Sequence, residues 1–429
     1  MDRSLGTYEL PVAAPASGPE YKPRTIAEVG IRESVLEDIA LKTLYAHGPF
    51  SILDLAEHTR LSYDVAEHLF SRLRNKLLCE VTGMTGNVPV ILISSQGRAR
   101  ALELLSQSQY AGATPVSLLS YVTQVRKQGM RNLSVRPADV ERAFTHLVFD
   151  AEVLSQFGTA LNSGAPIFLY GPPGVGKTAA AEALAHVLAE DEIWVPYAVE
   201  VGGQIITIYD PAIHQSAAGA EPKDGDRRWV RCKRPTVTVG GELTIEMLDL
   251  QFNATMNFYD GPPQMKANNG VLIIDDFGRQ RIPPEDLLNR WVVPLDRGIE
   301  FLTLAGGRKI EIPFELLVVF ASNRDPGTVL DSAFLRRIQT KIRLGAATNE
   351  QFCEIFRRVA HKRGLEVDED ALSELIHYIR GTQKEELRGC YPRDLVNQAC
   401  WKARYEGAEP RLDRESLMRA VNTYFLTSK

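Results

Sequence analysis

Ile167-Phe168-Leu169-Tyr170-Gly171-Pro172-Pro173-Gly174-Val175-Gly176-Lys177-Thr178 is a short apolar run that closes in a glycine-rich octapeptide and opens into an alanine-rich stretch. It reads as strand, loop, helix. Glycines allow backbone N–H groups to turn inward around a phosphate, and the start of the following helix adds a favourable dipole. Lys177 is placed to reach the β- and γ-oxygens of a nucleotide, and the Thr178 hydroxyl to ligate Mg²⁺. The expected nucleotide-binding residues are therefore Gly171, Pro172, Pro173, Gly174, Val175, Gly176, Lys177 and Thr178, with ATP as ligand.

Downstream, Val271-Leu272-Ile273-Ile274-Asp275-Asp276 is a second apolar strand, ending in two acids. Phosphoryl transfer needs one carboxylate to hold Mg²⁺ and another to polarise the attacking water. Asp275 takes the metal role and Asp276 the water role. Acids at a strand end also cap turns, and it is the glycine loop upstream that favours chemistry here.

With both motifs in hand the chain resembles the AAA+ ATPases over residues 139–429, and further stretches agree. The apolar run 316–321 leads to Ser322-Asn323 and looks like sensor 1, in which Asn323 helps position the water. Residues 299–304 and 309–314 flank Ala305-Gly306-Gly307-Arg308 and read as a β-hairpin, similar to the branch with an insertion before sensor 1. Such motors press loops of this kind against a substrate. Leu330-Asp331-Ser332-Ala333-Phe334-Leu335-Arg336-Arg337-Ile338 resembles the helix that presents an arginine finger to a neighbouring subunit. A guanidinium suits that role because it is always charged and pairs bidentately. Arg337, just before the apolar Ile338, has the usual placement and is favoured over Arg336. Gly389-Cys390-Tyr391-Pro392-Arg393-Asp394-Leu395 resembles sensor 2, with Arg393 folding onto the nucleotide from a lid helix. One departure stands out. Most of the family has Asp-Glu where this chain has Asp275-Asp276, and the shorter side chain implies slower turnover.

The resemblance implies an α/β fold: a P-loop NTPase parallel-sheet core over residues 139–344 with a C-terminal helical lid over 345–429. In the lid, Thr348 and Gln351 form a capping-box signature, Asp368 starts another helix, and Pro392 sits where a first-turn proline belongs. Residues 25–110 read as three helices, a hairpin of strands near 78–82 and 88–94, and a fourth helix, the order of a small winged-helix-like α+β domain. Residues 1–24, rich in Pro, Ala and Gly, read as a disordered tail without the pattern of a signal peptide, and 111–138 as a linker with room for one helix. Residues 191–269 read as an exposed elaboration of the core. Its basic cluster (Arg227, Arg228, Arg231, Lys233, Arg234) is more in keeping with a solvated face than with a contact surface.

Composition limits the rest. The chain has 429 residues, 44% hydrophobic and 24% charged, with a formal net charge of −5, normal for a globular protein of several domains. Five scattered cysteines argue against a disulfide framework or zinc site and fit a reducing compartment. With no apolar run of membrane-spanning length, a cytoplasmic location and no membrane partner are expected. Over residues 25–110 eight Lys/Arg face ten Asp/Glu, which weakens the case for DNA, since duplex binding draws on phosphate neutralisation. Arg72, Arg74, Lys76, Arg98 and Arg100 keep nucleic acid open as a partner of the front domain. The expected function is an ATP-hydrolysing, ring-forming homo-oligomer that remodels a protein client. A DNA-associated regulator or loader, or a non-hydrolysing nucleotide switch, stands as the alternative.

Overall fold

The computed structural model describes residues 18–86, 88–130, 133–217, 219 and 224–425. Its centre is a five-stranded, all-parallel sheet. We label the strands β1 (Ile167–Tyr170), β2 (Thr236–Val239), β3 (Val271–Ile274), β4 (Leu317–Ser322) and β5 (Thr340–Arg343). Their spatial order is β2-β3-β4-β1-β5, so the strand that feeds the glycine loop lies inside the sheet, between β4 and β5.

Side chains alternate across a strand, and both faces of a parallel sheet are covered, which explains why these strands are apolar throughout. Ile167, Leu169, Val271, Ile273 and Val319 pack with the helix Lys177–Leu188 and with Phe157. Phe168, Leu272, Ile274, Val318 and Phe320 face the other way, onto Trp291 and Leu288 of the helix Pro284–Arg297. The helix after the loop carries Ala180, Ala181, Ala183 and Ala185, all buried. Small side chains let it lie close on the sheet. The core is an α/β P-loop NTPase sheet with a helical C-terminal part.

That part is built of the helices Asn349–Lys362, Glu369–His377, Tyr391–Glu406 and Arg414–Tyr424 around their own core of Phe352, Phe356, Leu372 and Leu395. The Thr348–Gln351 capping box is formed, Asp368 caps the second helix, and Pro392 lies in the first turn of the third.

In front, the helices Glu33–His47, Ile52–Thr59 and Tyr63–Asn75 and an antiparallel sheet (Phe50–Ser51, Val88–Ile93, Cys79–Thr85) enclose a separate core, closed by the helix Ser95–Gln107. Gly97 is required there: a Cβ would stand 2.0 Å from the Leu78 carbonyl oxygen. Residues 1–17, most of the expected tail, lie outside the described residues. Residues 18–24 are fastened down, with the Pro19 carbonyl accepting from Asp226 N and the Pro23 carbonyl from Ser62 Oγ.

Three expectations are corrected. Residues 111–138 are not simply a linker. Val116–Ser117 pairs with Val199–Glu200, and the helix Leu118–Lys127 buries Tyr121 and Val125. Residues 191–269 are not an exposed elaboration. They supply most of a five-stranded mixed sheet (Gln251–Asn253, Phe258–Asp260, Gln204–Thr207, Ala198–Val201, Val116–Ser117) and a ribbon of Glu192–Pro196 with Trp229–Lys233. Trp229, Cys232, Ile206 and Tyr259 bury their side chains there, together with Leu302, Ile310 and Ile312 of the hairpin Ile299–Thr303/Lys309–Pro313. The hairpin is formed, but one face of it is packed away.

The basic cluster is only in part a solvated face: Lys233 is exposed, but the arginines are engaged. Arg228 is fully buried, holding Asp226 and donating to the carbonyls of Val29 (2.9 Å) and Pro115 (3.1 Å). Arg227 pairs with Glu57, Arg231 with Glu192, and Arg234 donates to the Asn269 carbonyl at 2.6 Å. Arg227 and Arg228 thus tie the front unit to the segment behind it and Arg234 ties that segment to the core, whereas Arg231 pairs within its own ribbon and Lys233 is exposed.

Candidate nucleotide site

The loop between β1 and its helix has the backbone its glycines foreshadow. Gly171, Gly174 and Gly176 have φ of 148°, 80° and 97°, conformations that side chains resist. Space demands the same residue at two of them. A Cβ on Gly171 would meet the Leu344 carbonyl at 2.0 Å, and one on Gly174 would meet Cys390 Sγ at 2.4 Å. Lys177 is 7% exposed, and its Nζ donates to the carbonyls of Gly171 (3.0 Å) and Pro172 (2.7 Å) at the mouth of the loop. Burial lowers the Lys177 pKa, while Asp276 and Asp275 oppose the shift.

The two acids follow β3 directly. Thr178 Oγ1 donates to both oxygens of Asp275, at 3.1 and 2.9 Å. A hydroxyl and a carboxylate side by side are hard oxygen donors of the kind Mg²⁺ takes, leaving its other positions to water and phosphate. The residues present fit Mg·ATP: a glycine loop with no room for a Cβ at Gly171 or Gly174, an ammonium at its mouth, and an oxygen pair beside it.

Asp276 is exposed and has φ of 49°, an uncommon conformation outside glycine that often marks a functional residue. Its N–H donates to Asp275 Oδ1 (2.9 Å), and its carboxylate accepts from Asn323 Nδ2 (3.0 Å). The ends of β3 and β4 are tied together by Phe277 N to the Ala321 carbonyl (2.7 Å) and by Ser322 Oγ to the Phe277 carbonyl (2.8 Å). This fixes Asp276 against Asn323. Gln280 Nε2 braces the same turn through the Asp275 carbonyl at 2.7 Å.

The structure thus gathers Gly171 to Thr178, Asp275, Asp276 and Asn323. It does not bring in the three arginines: among the described residues no hydrogen bond or ion pair joins Arg336, Arg337 or Arg393 to that group. Arg337 sits on the helix Ser332–Arg337 with its Nε 2.9 and 3.0 Å from the Asp296 carboxylate and its guanidinium over Phe334. Arg336 is exposed, with no ion pair among the described residues. Arg393 is two-thirds exposed and pairs with Asp394 at 2.9 Å.

Sequence reading assigned no role to Cys390, yet its N–H donates to the Gly174 carbonyl at 3.0 Å and its side chain fills the space beside that glycine. The lid therefore docks on the phosphate loop one residue ahead of the helix that carries Arg393. Gln280 was also missed. No spacing rule singles out either residue, because both act through loop geometry.

Residues 348–423, within the helical lid, match a family model described as a domain of unknown function (DUF8689). No curated protein matches the chain. Among solved structures, RuvB of Thermotoga maritima, described as a Holliday junction branch migration motor, is 15% identical over 64% of this chain and 70% of that chain, with a TM-score of 0.38. NtrX from Brucella abortus in complex with ADP is 14% identical over 75% of this chain and 64% of that one, with a TM-score of 0.39. Likenesses this loose bear on no single residue.

Proposed function

We propose that this chain is an AAA+ ATPase that binds Mg·ATP at the loop Gly171–Thr178, hydrolyses it, and works as an oligomeric remodeller of a protein client. One observation supports this reading above the others: the Thr178–Asp275 and Asp276–Asn323 pairs stand side by side at the mouth of the phosphate cradle. In this reading Thr178 and Asp275 would hold Mg²⁺, which would supply charge neutralisation at the phosphates. Lys177 exchanges its loop carbonyls for β- and γ-oxygens. Asp276 accepts a hydrogen bond from the attacking water, and Asn323 fixes the direction in which that carboxylate points. The backbone turn at Asp276 presents the shorter acid to the site.

For the finger, the geometry favours a revision of the sequence reading. Arg337 is engaged with Asp296, whereas Arg336 is exposed and available to a neighbouring subunit. Arg393 would have to leave Asp394 to reach nucleotide.

The front unit, which we read as winged-helix-like, is better suited to a fixed or protein-docking role than to reading a duplex. On its third helix Arg72 is taken up by Glu33 and Glu37 and Lys76 by Glu37, while Arg100 pairs with Glu103. These three cations are already paired within the chain, which leaves Arg74 and Arg98 as the exposed cations of that group.

Asp276→Asn tests the proposal. ATP affinity stays within about threefold, while phosphate release falls by about 10²-fold or more, as for loss of a positioned acid–base group. An unchanged rate of release would remove Asp276 from the chemistry. A non-hydrolysing Asp276→Asn protein should also retain its client in a pull-down with ATP.

A further inference from the structure

A second cavity, of 370 Å³, lies away from the phosphate loop, where the front unit meets the mixed sheet. One wall is the helix Glu33–His47, with Asp38 and Lys42 one turn apart on the same face. The opposite wall comes from the turn at Gly203 and Gln204 and from Phe258 and Tyr259, and Ala305 of the hairpin tip closes one side.

The two charged groups are poorly provided for. Lys42 is 3% exposed, and among the described residues its ammonium has one acceptor, the Ser108 carbonyl at 3.1 Å. An ammonium has three donors. Asp38 accepts no hydrogen bond among the described residues, and Arg100, which attracts it electrostatically, is itself paired with Glu103. No ion pair joins Asp38 to Lys42, although each feels the other's charge. Burial raises the Asp38 pKa and pushes Lys42 down to about 8. Both groups would be better satisfied by a partner of opposite charge.

The rest of the lining limits what that partner is. Phe258 and the edges of the largely buried Val35, Ile39, Leu104 and Ile205 give the cavity an apolar side, beside the polar Gln107, Gln204 and Asn257. The volume lies at the small end of the range of about 300–1,000 Å³ for small-molecule sites. A simple anion would be repelled by Asp38, and a simple cation by Lys42. We propose that this cavity binds a single apolar α-amino acid, its carboxylate on Lys42, its ammonium on Asp38 and its side chain against Ile205 and Phe258. A molecule seated there touches the front unit, the mixed sheet and the hairpin tip together.

Calorimetric titration of the full chain without nucleotide, using L-phenylalanine and L-leucine as probes, tests this independently of the ATP site. At least one of the two binds with a Kd below about 1 mM. Phenethylamine and 3-phenylpropanoate, or the corresponding halves of leucine, bind at least about tenfold more weakly, because each leaves either the buried Lys42 or the half-buried Asp38 unanswered. Asp38→Asn and Lys42→Met each weaken binding by a similar factor. Should Lys42→Met fail to fold, Asp38→Asn and the half-ligands still decide. The proposal is overturned if neither amino acid binds at about 10 mM, if a half-ligand binds as well as the whole, or if Asp38→Asn leaves the affinity unchanged.

Discussion

Arg336 and Arg337 are adjacent on one short helix, yet their surroundings differ. Arg337 lies on Phe334 with both carboxylate oxygens of Asp296 within 3.0 Å, while Arg336 points no charge at any acid among the described residues. A finger must give its guanidinium to a γ-phosphate on another subunit, and a side chain already held by a carboxylate has to break that pair first. Placement before Ile338 favoured Arg337 in the sequence; the packing of the side chains favours Arg336. Arg336→Ala should lower hydrolysis by about 10³-fold in assembled protein, and Arg337→Ala by less than about tenfold. Steady-state phosphate release at concentrations above and below assembly separates the two. A larger loss with Arg337→Ala would restore the original assignment.

Among the elements, the strands and the glycine loop were the most legible, since unbroken apolar runs such as Val271–Ile274 ending in Gly or Asp carry a strong signal. The hairpin was visible too, through Gly306 and Gly307 between alternating strands. Its burial was not. Nothing in Ile299–Thr303 announces that Leu302 will face Tyr259 and Trp229, because the strands that cover it come from distant and non-consecutive parts of the chain. Glu300 shows the consequence. It is 2% exposed, with Oε1 3.3 Å from Arg290 Nη2 and Oε2 without a partner among the described residues. Burial pushes its pKa up to about 7, and the attraction of Arg290 does not compensate. A raised carboxyl pKa means the folded chain holds the proton more tightly than the unfolded one, whose ordinary value is 4.5. Glu300 is then most favourable to folding below pH 4.5, and that contribution is lost as pH rises through 7. The loss is about 3 kcal/mol. Urea unfolding at several pH values should show the wild type losing about that much stability relative to Glu300→Gln between pH 4.5 and 8. Parallel pH profiles would place the proton elsewhere.

At the scale of the molecule, the front unit is joined to the rest of the chain through a buried guanidinium, Arg228, which donates to the Val29 carbonyl. Arg228 is wholly enclosed, and Asp226 is 2% exposed beside it. Removing one member of such a pair strands the other, at about 3–5 kcal/mol. Arg228→Met should lower stability by that amount in chemical denaturation. Arg227→Ala, which loses a partly exposed pair with Glu57, should cost under about 1 kcal/mol. Equal effects would mean that Arg228 is not the fastening. This joint was hidden from the sequence, where Arg228 is one of several clustered cations, and only the fold separates the one that is buried from its neighbours. In the candidate site, the glycine loop, Asp275, Asp276 and Asn323, all singled out in the sequence, lie in one cluster, while Cys390 and Gln280 emerge only from loop geometry.

Everything functional rests on whether the loop Gly171–Thr178 holds a nucleotide, and direct titration of the purified chain with ATP and Mg²⁺, beside Lys177→Ala, is the measurement that asks this. Saturable binding of one nucleotide per chain, weakened at least about tenfold by Lys177→Ala while the variant keeps its fold by circular dichroism, is the expected result. Absence of binding by the wild type, or equal affinity in the variant, would contradict it.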